Sequence, residues 1–212
     1  MQHQICEAHI DALQEIINIG IGRAAGMLNQ MLKLEIYLGI PAVQVLSRKD
    51  LQKELKLRFH EKTFASVRLN FTGSFSGKAN LIFPAESAST LVSILTGEEL
   101  GSPDLDSVRI GTLSEVGNIV INGIMGSISN ILNQHLHYAL PIYSEDSIEH
   151  ILSLNNSSDQ TVFLIAQARF DIEILEILGN IVLIFEVDSF DALIEIINQE
   201  LLQLEYQCEL IS

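Results

Sequence analysis

Cysteines, basic side chains and long apolar runs are all scarce in this 212-residue chain, and each scarcity excludes a class of protein. The two cysteines, Cys6 and Cys208, lie near opposite ends and lack the spacing of a disulfide framework. Polar residues interrupt every apolar region before it reaches the ~20 residues that cross a bilayer. The first residues lack the basic flank and apolar run of a signal peptide. We therefore expect a cytoplasmic protein in a reducing setting, with no membrane insertion.

Basic residues are outnumbered, with 12 Lys and Arg against 27 Asp and Glu, which gives a formal net charge of −15. Such a charge repels nucleic acid and anionic lipid, so we expect the partners to be proteins or small molecules. The 48% hydrophobic content is enough to fill a large interior. The length suits one domain, or two small halves that share a core.

A polar stripe on the first long helix is the strongest local signal. Asp11, Glu15 and Asn18 project from one face, because a helix turns by about 100° per residue. Gly22 and Gly26, four residues apart, predict close packing against another helix. The remaining face is apolar and predicts contact with a core through Leu13, Ile16, Ile17, Ala24, Met27, Leu28 and Met31. A single Glu-x-x-Asn is usually only a solvated helix face.

The same pair of polar residues occurs a second time. Glu115 and Asn118 repeat Glu15 and Asn18 after 100 positions (115 − 15). Asn is a poor helix-interior residue, so two such placements indicate a role beyond solubility. The second helix should face the core through Val116, Val120, Ile124, Ile128 and Ile131, and solvent through Glu115, Asn118, Asn122 and Ser129. Gly111 stands where the first copy has Asp11.

The duplication extends beyond the helices. Twenty-two residues separate Asn18 from Pro41 (41 − 18 − 1), and twenty-two separate Asn118 from Pro141 (141 − 118 − 1). The segment 77–83 aligns with 179–185 at an offset of 102. We expect a single α+β domain over residues 1–212, built from two repeated α/β units at about 9–96 and 109–205. The units should share one antiparallel sheet about a pseudo-twofold axis, with the two long helices on one side.

Each unit should contain the same elements in the same order. In the first we expect a helix at 9–32, a strand at 42–46, a short helix at 48–55, strands at 64–71 and 78–83, and a helix at 85–95. In the second we expect a helix at 112–133, a strand after Pro141, a short helix at 147–152, strands at 161–170 and 181–186, and a helix at 190–204.

These motifs carry a resemblance to a known family. The pattern Asp or Ser, three residues, Glu, two residues, Asn, twenty-two residues and Pro resembles the signature of the CheC phosphatases of bacterial chemotaxis, whose relatives include CheX and FliY. The segment 15–25 resembles the first helix of that family, and 115–119 resembles its second. The chain departs from the pattern at Gly111 and at Ile17, where a Gly is usual.

The resemblance implies a CheC-like fold and dephosphorylation of an aspartyl phosphate on a CheY-like response regulator. Asn18 and Asn118 would orient the attacking water, while Glu15 and Glu115 would pair with a lysine of the regulator. Asp11 would support the first site. We expect the first site to carry more of the turnover, because the second site has Gly111 where the first has Asp11.

The resemblance implies few supporting residues, cofactors or further partners. Pro41 and Pro141 are expected to be structural, and no cofactor is expected on this chain, since Mg²⁺ would come with the regulator. A CheD-like deamidase is a further candidate partner, because some CheC relatives pair with one. His3, Cys6 and His9 supply three potential metal ligands, but their spacing drifts around a helix, so a metal site is not favoured.

A non-catalytic function remains open as an alternative to the phosphatase. The chain could be a receiver-binding or scaffold module of a chemotaxis or flagellar system. Retention of Glu and Asn in both copies favours the phosphatase, whereas Gly111 favours the scaffold. The sequence also shows no flagellar-targeting extension, which argues against a component of the flagellar switch.

Overall fold

The computed structural model describes residues 5–33, 35–39, 42–58, 63–97, 105–152, 161–172 and 175–211. The first half of the chain contains α1 (Glu7–Leu32), β1 (Ile36–Gly39), β2 (Val43–Ser47), α2 (Arg48–Arg58), β3 (Phe64–Gly73), β4 (Gly77–Pro84) and α3 (Ala85–Thr96). The second half contains α4 (Leu105–Ile131), β5 (Leu136–Tyr138), β6 (Ile142–Asp146), α5 (Ile148–Ile151), β7 (Thr161–Ile172), β8 (Leu175–Glu186) and α6 (Val187–Ile211). The order of helices and strands is therefore the same in both halves.

The strands form one eight-stranded antiparallel sheet in the order β1-β7-β8-β4-β3-β5, with β2 also paired to β7 and β6 also paired to β3. The duplicated segments β4 and β8 meet at its centre, where Lys78 lies opposite Ile184 and Ile82 opposite Asn180. Exchanging each strand with its counterpart in the other half returns the same order from the opposite edge. The predicted antiparallel α+β architecture is confirmed. Superposition of residues 9–95 on 109–197 by a twofold rotation stays a prediction.

Helices cover both faces of the sheet. One face packs against α1, α3, α4 and α6 in a large apolar cluster, to which β7 contributes Leu164 and Ala166. The alternate β7 residues, Phe163 and Ile165, point to the other face and pack with Leu51 of α2 and with α5. Both long motif helices thus lie on one side of the sheet. Among the described helices, none is long and apolar enough to cross a membrane.

The two motif helices touch at Gly20. A Cβ added there would lie 2.5 Å from the Cα of Ile124 and 2.8 Å from the carbonyl oxygen of Gly123, so only glycine allows this approach. Gly22 and Gly26 have open space instead, with nothing within 4 Å of an added Cβ. The expected close packing at those two glycines is therefore wrong, because the crossing point lies on a different side of α1.

Several element limits differ from the sequence prediction. The short strands β1 and β5 were not predicted, and both pair with strands of the other half, β1 with β7 and β5 with β3. Helix α4 begins at Leu105 rather than at residue 112, and α6 runs from Val187 to Ile211 rather than over 190–204. Gly111 consequently lies within α4, six residues after its start (111 − 105), where glycine weakens a helix.

Candidate functional site

The predicted site residues lie on the solvent side of the motif helices. Glu15 and Glu115 are exposed, and Asn18 and Asn118 are half-buried. Asp11 is exposed one turn before Glu15 on α1. The residues between them, such as Leu13 and Val116, are buried in the core. Each helix therefore presents a carboxylate and a partly exposed carboxamide to solvent.

The carboxamides of the two copies differ in their surroundings. The Nδ2 of Asn122 donates to the Oδ1 of Asn118 at 2.7 Å, one helical turn along α4. The first copy has Gly22 at the corresponding position, and Asn18 makes no side-chain hydrogen bond to any residue that the structure describes. Within the described part of the chain, the oxygen of Asn118 is thus partly occupied by a side-chain donor, whereas that of Asn18 has no such donor. The i, i+4 spacing of two Asn residues was the sequence signal for this contact.

The two copies lie at opposite ends of an antiparallel helix pair. Gly20 of α1 meets Gly123 and Ile124 of α4, whereas Met31, further along α1, shares a groove with Glu115, further back on α4. Glu15 is five residues before the crossing and Glu115 is eight before it. At 1.5 Å per residue the two carboxylates are separated by about 20 Å along the helix axes. The copies are therefore two separate sites.

An apolar groove of about 370 Å³ adjoins the second copy, lined by Met27, Gln30, Met31, Glu115 and Ile119. Met27 is 52% exposed and Met31 46% exposed. Both were expected in the core, as was Ile131, which is 37% exposed. These three expectations are wrong, because the ends of α1 and α4 extend beyond the crossing and leave one flank uncovered. The groove was not foreseen, since periodicity does not locate the crossing.

The remaining predicted residues have simple positions. Pro141 is half-buried and immediately precedes β6, where a missing backbone N–H is tolerated, and its structural role stays a prediction. Pro41 lies outside the described residues. Gly111 is exposed, and an added Cβ there would have nothing within 4 Å. The second copy therefore lacks a side chain four residues before Glu115, where the first copy has Asp11 before Glu15.

A polar cluster fixes the first turns of α4. Arg109 donates from Nη2 to Oε1 of Glu145 at 2.5 Å and from Nη1 to Oγ of Ser89 at 3.2 Å. The Tyr143 hydroxyl also donates to Glu145. Burial raises the pKa of Tyr143 well above its usual value, and the hydrogen bond to Glu145 raises it further. These contacts tie the helix that carries the second motif to β6 and α3.

Metal ligands are not brought together within the described part of the chain. No group there contains three His, Cys, Asp or Glu side chains placed to hold a metal ion. Of the three potential ligands near the N-terminus, Cys6 and His9 are in contact, and His3 lies outside the described residues. The expectation that the chain binds no cofactor stays a prediction.

The comparison with known sequences confirms the resemblance. A model of the CheC-like family matches residues 9–44, which include the first motif. Over 156 residues the chain is 26% identical to the CheY-P phosphatase CheC of Bacillus subtilis, covering 70% of this chain and 72% of that protein. It is 22% identical over 139 residues to the flagellar motor switch phosphatase FliY of the same organism. That match covers 65% of this chain and only 35% of FliY.

Solved structures share the fold. Thermotoga maritima FliY superposes with a TM-score of 0.72 and 16% identity, covering 92% of this chain and 98% of the other. A chain of the CheX–CheY–BeF3–Mg²⁺ complex from Borrelia burgdorferi gives a TM-score of 0.51 and 19% identity, covering 82% and 99%. At these identities the likeness establishes the architecture alone.

Proposed function

We propose that the protein is a phosphatase acting on the aspartyl phosphate of a CheY-like response regulator. The observation that carries the proposal is the pairing, on each motif helix, of an exposed Glu with a half-buried Asn one turn away. The relative named as the CheY-P phosphatase CheC supports the same substrate class, and the relative named as a flagellar motor switch phosphatase supports phosphatase activity. Asn18 and Asn118 orient the attacking water, and Glu15 and Glu115 dock the regulator.

A carboxamide suits an anionic phosphoryl group. Hydrolysis of this group needs an in-line water and neutralisation of charge, with little covalent help from the protein. The oxygen of Asn18 can accept a hydrogen bond from water while its NH₂ donates nearby, and the side chain brings no negative charge. This matters in a chain of net charge −15. The amide is the part of the site that can approach the phosphoryl group closely.

The carboxylate has a different task. Side chains three residues apart on a helix have Cβ atoms about 5–6 Å from each other. A regulator whose phosphoryl group reaches Asn18 must therefore present a cation within about one helical turn, so that Glu15 is paired rather than repelled. A lysine beside the phosphorylated aspartate meets this requirement. The Glu thereby fixes the angle at which the regulator docks.

The metal of the reaction belongs to the regulator in this proposal. Receiver domains hold Mg²⁺ at the phosphorylated aspartate, so the two Asn–Glu pairs complete a site that the substrate largely provides. This chain contributes water placement and docking. A zinc or iron ion that restored activity after chelation, where Mg²⁺ did not, would contradict this division.

The direct test is phosphate release from a phosphorylated receiver domain in excess Mg²⁺. The expected result is catalytic turnover, with several phosphates released for each protein chain, above the rate of spontaneous hydrolysis. Binding without any acceleration would instead support the receiver-binding or scaffold module. If a range of receivers showed no binding and no acceleration, both assignments would be removed.

The contact between Asn122 and Asn118 predicts how the second site is limited. In a variant that retains only this site (Asn18→Ala), we expect Asn122→Ala to raise phosphate release about fivefold, the worth of one net hydrogen bond. The reason is that Asn118 must give up or share that bond to hold water. Asn130→Ala, an exposed change on the same helix, should leave the rate unchanged. A lower rate in Asn122→Ala would show that the bond pre-orients the amide instead.

A further inference from the structure

The apolar groove beside the second copy lies at the end of α1 that is distant from Asn18. Its most buried lining residue is Ile119 of α4, which is 6% exposed, and Met27 and Met31 of α1 also line it. These two methionines are 52% and 46% exposed, so a large part of each apolar side chain faces solvent. Met27 is nine residues beyond Asn18 (27 − 18), or about 13 Å along the helix. The groove therefore belongs to the surroundings of the second site.

The polar lining of the groove connects it to the docking residue of that site. Among the described lining residues, the polar ones are Gln30 and Glu115. Both side chains are exposed, so neither is a buried polar group of the kind that orients a small ligand. Glu115 is also the side chain proposed to pair with a lysine of the regulator. A regulator whose lysine reaches Glu115 therefore places the adjoining part of its surface over the groove.

The first copy has a different surface at the equivalent positions. At an offset of 100 positions, Ser127 and Ile131 correspond to Met27 and Met31. Ser127 is 0% exposed, and its Oγ accepts a hydrogen bond from Nη1 of Arg23 at 3.2 Å. A buried hydroxyl bonded to a cation thus replaces one flexible thioether. Ile131 is 37% exposed, but it is β-branched and stiff at χ1. The two copies repeat the Glu and the Asn without repeating the pair of methionines.

We propose that the groove receives an apolar side chain of the CheY-like regulator, next to the lysine that pairs with Glu115. Met27 and Met31 are then specificity-determining residues of the second site. This proposal rests on the proposed phosphatase function and extends it to the choice of partner. Docking removes the exposed part of both methionines from water, which favours binding. Because Met is unbranched and polarizable, the groove can adapt to apolar side chains of different shape.

The groove also strengthens the ion pair between Glu115 and the regulator's lysine. A fully exposed pair of this kind contributes little, because water screens it. An apolar side chain seated between Met27 and Met31 excludes water from one flank of Glu115, and the attraction rises as the local dielectric falls. A regulator with a polar residue next to its lysine loses both contributions at the second site. The first site, which lacks the methionine pair, discriminates less between such regulators.

The experiment measures kcat and KM for phosphate release from a phosphorylated CheY-like receiver in the Asn18→Ala variant, which retains only the second site. Met27→Gln combined with Met31→Gln keeps two unbranched side chains of high helix propensity but makes the groove polar. We expect this combination to raise KM about tenfold and to leave kcat within about twofold, because docking weakens while the water-placing amide stays. Met27→Leu combined with Met31→Leu should keep KM near that of the Asn18→Ala parent, because the groove stays apolar.

The matched control is Leu202→Gln on α6. Leu202 is 54% exposed, close to the value for Met27, and it is not among the described lining residues of the groove. This change should leave KM unchanged. In the reciprocal Asn118→Ala variant, which retains the first site, the glutamine pair should have a KM effect about tenfold smaller than in Asn18→Ala. An unchanged KM in Asn18→Ala, an equal rise in both variants, or an equal rise from Leu202→Gln would overturn the proposal.

The groove and the phosphatase function fail in different ways. If Asn18→Ala releases no phosphate above spontaneous hydrolysis, the catalytic assignment fails at the second site. Affinity for the phosphorylated receiver, measured in a Glu15→Ala variant, then decides the groove. A loss of affinity of about tenfold on adding Met27→Gln and Met31→Gln supports it, and an unchanged affinity or no binding overturns it. A wild-type dimer that these two substitutions dissociate in sedimentation would assign the groove to a second copy of the chain and also overturn the proposal.

Discussion

Replacing both Asn18 and Asn118 by Ala is expected to reduce phosphate release from a phosphorylated receiver by about 100-fold or more, the loss typical of removing one group aimed at the reacting atoms. The physical reason is that the double variant removes, from both motif helices, the carboxamide one turn after the Glu, which is the group proposed to orient the attacking water. Binding of the receiver, measured separately, should change little, because Glu15 and Glu115 remain.

The single variants should differ. Asn18→Ala should lose more activity than Asn118→Ala, because Asp11 precedes Glu15 whereas Gly111 adds backbone freedom inside α4, and because Asn122 occupies the oxygen of Asn118. Water placement depends on sub-ångström geometry, so such differences affect rate more than affinity. Gln199→Ala, which changes an exposed amide on α6, serves as the control. Equal single losses would remove the asymmetry, and an undiminished double variant would remove the catalytic assignment.

Gly20→Ala and Gly22→Ala, two residues apart on one helix, are expected to change stability in opposite directions. The new methyl at position 20 would overlap backbone atoms of Ile124 and Gly123, which cannot move aside as a side chain would. Overpacking of this kind costs about 3 kcal/mol. The methyl at position 22 meets nothing within 4 Å, so Ala should stabilise the helix by about 0.5–1 kcal/mol.

Urea unfolding of both variants measures this difference directly. Gly20→Ala should also lower phosphatase activity from both sites, since α1 and α4 must separate and each carries one Asn–Glu pair. Gly22→Ala borders the first site, so the control for activity is Gly26→Ala, which lies two turns from Asn18 and also has nothing within 4 Å of an added Cβ. Similar stabilities for the two variants would show that the helices do not cross at Gly20.

Local patterns in the sequence determined the elements and the candidate site residues. Period-3.6 apolar spacing predicted α1, and local strand patterns at 64–71 and 78–83 predicted β3 and β4, because both signals depend on neighbours a few residues away. The repeated Glu-x-x-Asn placed Glu15 with Asn18 and Glu115 with Asn118 on exposed faces, as the structure has them. The duplication gave the equal order of elements in the two halves.

Contacts between distant segments decided the rest. Strands β1 and β5 are four and three residues long and form only because β7 and β3 of the opposite half pair with them. The choice of Gly20 over Gly22 and Gly26, and the exposure of Met27 and Met31, follow from where α1 crosses α4. Helical periodicity fixes which residues share a face, but the rotation and crossing point of a helix are set by its packing partner. The tertiary structure therefore determined the groove beside Glu115.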